Sequence, residues 1–130
     1  KLYILRWSKT GARKIFFLYE LMANIYQNAK VDLTANTATT VVTAPSTSRL
    51  ILKSIIVSED SGNADSITLT ITDAAGAIFS LFKTKAVSAN ETLELLTQPL
   101  VLQESEILKA TAATGNRLHV VVSMLEINRS

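Results

Sequence analysis

After residue 22, apolar residues recur at every second position through most of the chain, which is the period of a half-buried β-strand and not of a helix. The segment ITLTIT at 67–72 is the cleanest case: Ile67, Leu69 and Ile71 share one face, three threonines the other, and threonine itself favours strands. Segment 118–127 differs. Leu118, Val120, Val122 and Met124 line one face, while Val121, Leu125 and Ile127 make the opposite face apolar too. A strand apolar on both faces belongs in the centre of a sheet or beneath a partner.

Turn residues divide the rest. A first strand is expected at 25–33 with Val31 and Leu33 inward, and a second at 39–43, where Val41, Val42 and β-branched threonines outweigh the linker-like look of 34–43. Ala44-Pro45-Ser46 ends it, and a third strand at 49–58 is rich in Leu and Ile. A polar loop at 59–66 leads into the 67–72 strand, and Asp73 to Gly76 forms a tight turn into 78–83, making a hairpin. Val87, Leu93, Leu95 and Leu96 lead to Pro99, after which 100–102 is a short edge strand. Glu104-Ser105-Glu106 turns the chain into 107–112, and Thr114-Gly115-Asn116 opens the last strand. About eight strands with turns every ten residues or so predict an all-β fold, a single antiparallel β-sandwich of jelly-roll-like form.

Charge separates residues 1–21 from this pattern. They hold five basic residues against Glu20, a net of +4, whereas 22–130 carries −2; the high isoelectric point belongs to the extension. Five of the eight aromatics lie there too: Tyr3, Trp7, Phe16, Phe17 and Tyr19. The expected organisation is an extension at 1–21 and a β-sandwich domain at 22–130. The Met22-Ala23-Asn24 that follows the break looks like a natural start, with upstream sequence translated before it. A disordered or helical arm is the alternative, with Ile15 to Leu18 beside Arg13 and Lys14 as a basic amphipathic segment that touches a membrane or a partner. A secretory signal fits poorly, because the apolar run is short and Glu20 interrupts it. No stretch approaches the roughly 20 apolar residues of a membrane span.

Candidate chemistry is sparse. There is no cysteine, which removes disulfides and thiolate metal sites from consideration. His119 is the single histidine, and a lone histidine on a strand reads as a surface or packing residue, since acid–base catalysis needs positioned partners. Gly62, Gly76 and Gly115 sit singly in turns and form no phosphate loop. Glu59, Asp60, Asn63 and Asp65 offer hard oxygen ligands, but their spacing fits no calcium loop and they read as a solvated turn. Glu104 and Glu106 read as turn residues and not as a glycosidase pair; Glu91 and Glu94 flank Leu93 and are expected to face water. These observations predict no catalytic residue, no metal and no cofactor. A domain of net −2 without a basic stripe also argues against nucleic acid.

Five segments carry a resemblance: LTANTATTVVTAP (33–45), LILKSIIVS (50–58), VSANETLEL (87–95), PLVL (99–102) and VVVSMLEI (120–127). Their order resembles small β-sandwich virion structural proteins of tailed bacteriophages, with a Thr-rich early strand, an Ala-Asn turn, a Pro-Leu edge and a closing Val-Ser strand that ends in Glu. The likeness covers nearly everything after Met22. It departs at Glu104-Ser105-Glu106, where the pattern expects a Gly-Asp turn. The resemblance implies a component of the tail, neck or capsid surface. Such a protein is made in the host cytoplasm, sits in the virion, and assembles as a homo-oligomer and with other phage structural proteins, without nucleic acid or membrane. Strand parity then nominates Val121, Ser123, Leu125 and Ile127 as the interface, unless the other sheet or the chain termini cover that face. The alternative is a carbohydrate- or receptor-binding module, for which only Tyr26, Phe79 and Phe82 remain after Met22 to stack on a sugar. Phe79 and Phe82, three apart, are expected on opposite faces.

Overall fold

A computed structural model of the chain describes residues 23–129. The expected extension at 1–21 lies outside them. Nine strands follow: β1 (Ala23–Leu33), β2 (Thr39–Thr43), β3 (Ser48–Glu59), β4 (Asp65–Thr72), β5 (Ile78–Val87), β6 (Thr92–Glu94), β7 (Leu100–Leu102), β8 (Ile107–Ala112) and β9 (Leu118–Asn128). They form two antiparallel sheets. The first runs β1-β9-β3-β6, with β7 also on β3, and the second runs β2-β8-β4-β5. Successive strands pass between the sheets except at the β4–β5 hairpin and at β6–β7, giving the jelly-roll arrangement. The ninth strand arises because the segment before and after Pro99 pairs with β3 in two pieces, Glu94 opposite Ile56 and Leu100 opposite Leu52. Proline has no N–H for the ladder.

The core lies between the sheets. Leu118, Val120, Val122 and Met124 of β9 face inward beside Leu50, Leu52, Ile55 and Val57 of β3, and Ile67, Leu69, Leu108, Ala110 and Ala112 meet them from the second sheet, all buried. Each fully buried Leu or Ile is worth about 1.5–3 kcal/mol. β3 keeps its apolar residues inward only through a register shift between Leu52 and Ser54. Without that shift, strict alternation from inward-facing Leu52 would put Ile55 and Val57 on the outer face.

A second pair of shifts corrects one expectation. β5 slips against β4 around Phe82, so Phe82 stands opposite Leu69 and Phe79 opposite Ile71. Both rings therefore share the inward side: Phe82 packs on the core, and Phe79 remains 57% exposed. The departure at 104–106 also has a physical answer. Ser105 adopts φ of 68°, the left-handed region where glycine has no steric cost, and its N–H donates to the Ala44 carbonyl. Ser105→Gly is expected to raise stability by about 0.5 kcal/mol, read as a later denaturant midpoint at unchanged slope.

Candidate assembly surface

The outer face of the first sheet is built in cross-strand rows. Register places Tyr26, Leu125, Ile51 and Val101 in one row across β1, β9, β3 and β7. Val121 and Ile56 form a second apolar pair, flanked by Lys30 and Glu94, and Ser123 and Ser54 with Asn28 separate the two rows. Ile127 follows beside Arg49 and Asn24. The four nominated residues thus stand in single file along β9. Val121, Leu125 and Ile127 are half-buried by their neighbours and Ser123 is exposed. The second sheet packs on the opposite parity of β9, so it leaves this file uncovered. The expectation that β9 is central holds, since β1 and β3 flank it.

At one end of the file the structure wires His119 in a way that sequence spacing does not reveal. Its Nε2 lies 3.3 Å from Asp32 Oδ1 and its Nδ1 lies 3.4 Å from Asp60 Oδ2. Lys30, Asp32, His119 and Val121 line a shallow depression there. Ser58 is the cross-strand neighbour of His119. Both ring nitrogens face carboxylates, so neither is directed at that hydroxyl to take its proton.

The acidic loop is corrected more sharply. Glu59 is 2% exposed, at the end of β3, and belongs to no solvated turn. Its carboxylate accepts from the Ser61 and Gly62 amides at 2.8 and 3.1 Å, from the Asn90 amide at 2.9 Å and from the Ser61 hydroxyl. Burial alone raises the Glu59 pKa. The donors from Ser61, Asn90 and Gly62 outweigh it and lower the value from 4.5 to about 2. With its oxygens committed to N–H and O–H groups, Glu59 ties the 60–63 loop to the 88–91 turn. Among the described residues, no three His, Asp or Glu side chains group so as to hold a metal ion.

Glu94 is exposed but engaged. It accepts from the Ser54 hydroxyl and from the Ile55 and Leu96 amides at 2.9 and 3.1 Å, filling the gap left where β6 breaks from β7. Burial raises its pKa, and these donors override it to leave the group lowered. Glu104 bridges Arg49 at 3.2 Å and Arg129 at 2.6 Å, whereas Glu106 accepts from the Gln103 amide at 2.8 Å. The two carboxylates do separate jobs in one turn. Glu126 accepts from Ser48 at 2.6 Å and Gln27 at 2.9 Å, closing the end of the core with a polar lid.

No protein-family model matches the chain, and no curated protein sequence matches it. Solved structures do. A Bacillus endospore appendage, described as forming disulfide-linked pili, matches with a TM-score of 0.54 at 10% identity, covering 84% of this chain and 89% of its own. A protein of the infectious bursal disease virus particle matches with a TM-score of 0.52 at 10% identity, covering 84% of this chain and 31% of its own. At such identities the likeness is one of fold. This chain is a small all-β sandwich similar in fold to structural proteins of a pilus and of a virus particle. Having no cysteine, it has no disulfide link to offer.

Proposed function

We propose that this chain is a structural subunit of a bacteriophage particle, in the tail, neck or capsid surface, that acts through protein–protein assembly and performs no catalysis. The observation that carries this reading is the outer face of the first sheet, where two apolar rows centred on Val121 and Leu125 lie uncovered by the second sheet. Burial of that face against another copy or a larger shell protein would gain roughly 25 cal/mol for each Å² of apolar surface removed from water. The sequence resemblance to phage virion sandwiches and the fold likeness to pilus and virus proteins point the same way. The proposed division is an extension at 1–21 and an assembling domain at 22–130.

A sugar-binding reading would need clustered exposed aromatics. Tyr26 lies on β1 at one edge of the first sheet, whereas Phe79 and Phe82 lie on β5 at the edge of the second. Contacts of β1 with β2 and of β3 with β5 put those edges on opposite sides of the sandwich. Light scattering of the full chain over a concentration series tests the proposal. A stable oligomer is expected, reduced to smaller species by Val121→Lys and unaffected by Thr70→Lys on the other sheet. A folded monomer at every concentration would exclude self-assembly and favour glycan or partner binding.

A further inference from the structure

A sheet edge is a row of unpaired backbone N–H and C=O groups, and folded proteins guard long edges with short strands, bulges, prolines or inward-pointing charges. Among the described residues, most edges carry such a guard. β2 has five residues and a register shift between Thr40 and Val42. β6 and β7 have three residues each, with Pro99 between them. β5 is long, but its register slips twice, Thr84 is left-handed at φ 56°, and Lys85 stands opposite inward-facing Ile67. β1 has no bulge, proline or inward-pointing charge, and its charges, Lys30 and Asp32, are confined to its second half. Its eleven residues pair with β9 without a shift, the first six (ANIYQN) are uncharged, and Ile25 and Tyr26 are 46% and 75% exposed.

We propose that β1 pairs with β1 of a second copy, antiparallel about a two-fold axis at Asn28, so that the two first sheets join edge to edge. Asn28 is the middle residue of the strand, and a two-fold there pairs all eleven positions. On the outer face Asn24 comes opposite Asp32 of the second copy, an amide donor against a carboxylate, and Tyr26 comes opposite Lys30, a ring against an aliphatic stem and its cation. On the inner face exposed Ile25 meets half-buried Val31, and Gln27 meets Ala29. No like charges face each other. Because the interface is isologous, each contact away from the axis occurs twice, and Asn28 meets itself once on the axis. A two-fold at Val31 would pair Lys30 with Asp32, but it would leave Ile25 and Tyr26 beyond the overlap. The pairing goes beyond the proposed function, which concerns the sheet's face and not its edge.

The absence of cysteine makes a direct test possible. Paired Cα atoms in an antiparallel ladder lie about 4.5–5.5 Å apart, within disulfide range. In the full chain, Asn28→Cys is expected to run mainly as a covalent dimer after mild oxidation, and Ser80→Cys on β5 as a monomer. Tyr26→Lys sets two lysine pairs face to face and is expected to weaken dimerisation roughly tenfold. Adding Lys30→Glu to it restores the dimer. Both side chains are exposed, so an unchanged far-ultraviolet circular dichroism spectrum confirms that the monomer fold is intact. Cross-linking at Asn28 no better than at Ser80, or failure of Lys30→Glu to rescue, would overturn the pairing. An oligomer that resists cross-linking at Asn28 yet is broken by Val121→Lys would remove the edge pairing and leave the face assembly standing.

Discussion

Glu59→Gln is expected to lower the thermal midpoint of the chain by about 10 °C or more, a larger effect than any exposed acidic residue would give. The substitution keeps the shape but places an amide N–H₂ among donors that need an acceptor. The Ser61, Gly62 and Asn90 amides converge on one buried carboxylate, and Glu59's own N–H donates to the Glu91 carbonyl at 2.8 Å. Asn90 is held at φ 59°, so the turn it belongs to depends on that anchor. The same carboxylate sets an acid limit. Its folded pKa of about 2 lies below the ordinary 4.5, so its contribution is complete above about pH 4.5 and is lost as pH falls towards 2. Glu94 is lowered too, and so is Glu104, chiefly by a backbone hydrogen bond and by Arg49 and Arg129; both act in the same sense. Denaturant midpoints measured from pH 7 to pH 2 should fall through this window in the native chain and fall less in Glu59→Gln. Equal acid loss in both would show that another carboxylate controls it.

Gly115→Ala is the second large effect, expected to cost about 2–3 kcal/mol. A Cβ on Gly115 would lie 2.5 Å from the Thr34 carbonyl oxygen, 3.0 Å from its carbon and 3.1 Å from the Ala35 Cα, all backbone. These atoms cannot swing away as a flexible side chain would. Beside them the Asn116 amide donates to the Leu33 carbonyl at 2.8 Å, so relief of the clash also pulls on the end of β1. Gly62→Ala is the informative comparison. Nothing lies within 4 Å of its added Cβ, and only its φ of 83° opposes the change, at about 1 kcal/mol. Denaturant titrations of both variants separate steric approach from backbone preference; equal losses would show that the approach at Gly115 relaxes freely.

Much of the fold was legible because period-two patterning is a local property. Strands at 39–43, 100–102 and 107–112, the hairpin after Asp73 and the two-faced character of β9 all follow from residues adjacent in sequence. What patterning misses are places where one extra residue resets parity. The shift at Lys53 returns Ile55 and Val57 to the core, and the slip at Leu81 brings Phe79 round to the side of Phe82. The file of Val121, Ser123, Leu125 and Ile127 could be read from alternation alone, but its rows could not, because Ile51, Val101 and Tyr26 join it only through long-range register. His119 with Asp32 and Asp60, and Glu59 with Asn90, were hidden for the same reason. Each links residues that only tertiary pairing brings together, and a buried carboxylate whose partners are backbone amides has no side-chain signature.

The pairing of β1 with β9, in which Ala23 meets Asn128, bears on the order of events during synthesis. The strand at the centre of the first sheet is the last of the described strands to leave the ribosome. Until it arrives, β1 and β3 have no common neighbour and the outer rows do not exist. Chains interrupted before residue 118 lack the outer rows and leave β1 and β3 each with an edge that only β9 pairs, so the first sheet is exposed to mispairing until the last described strand is made.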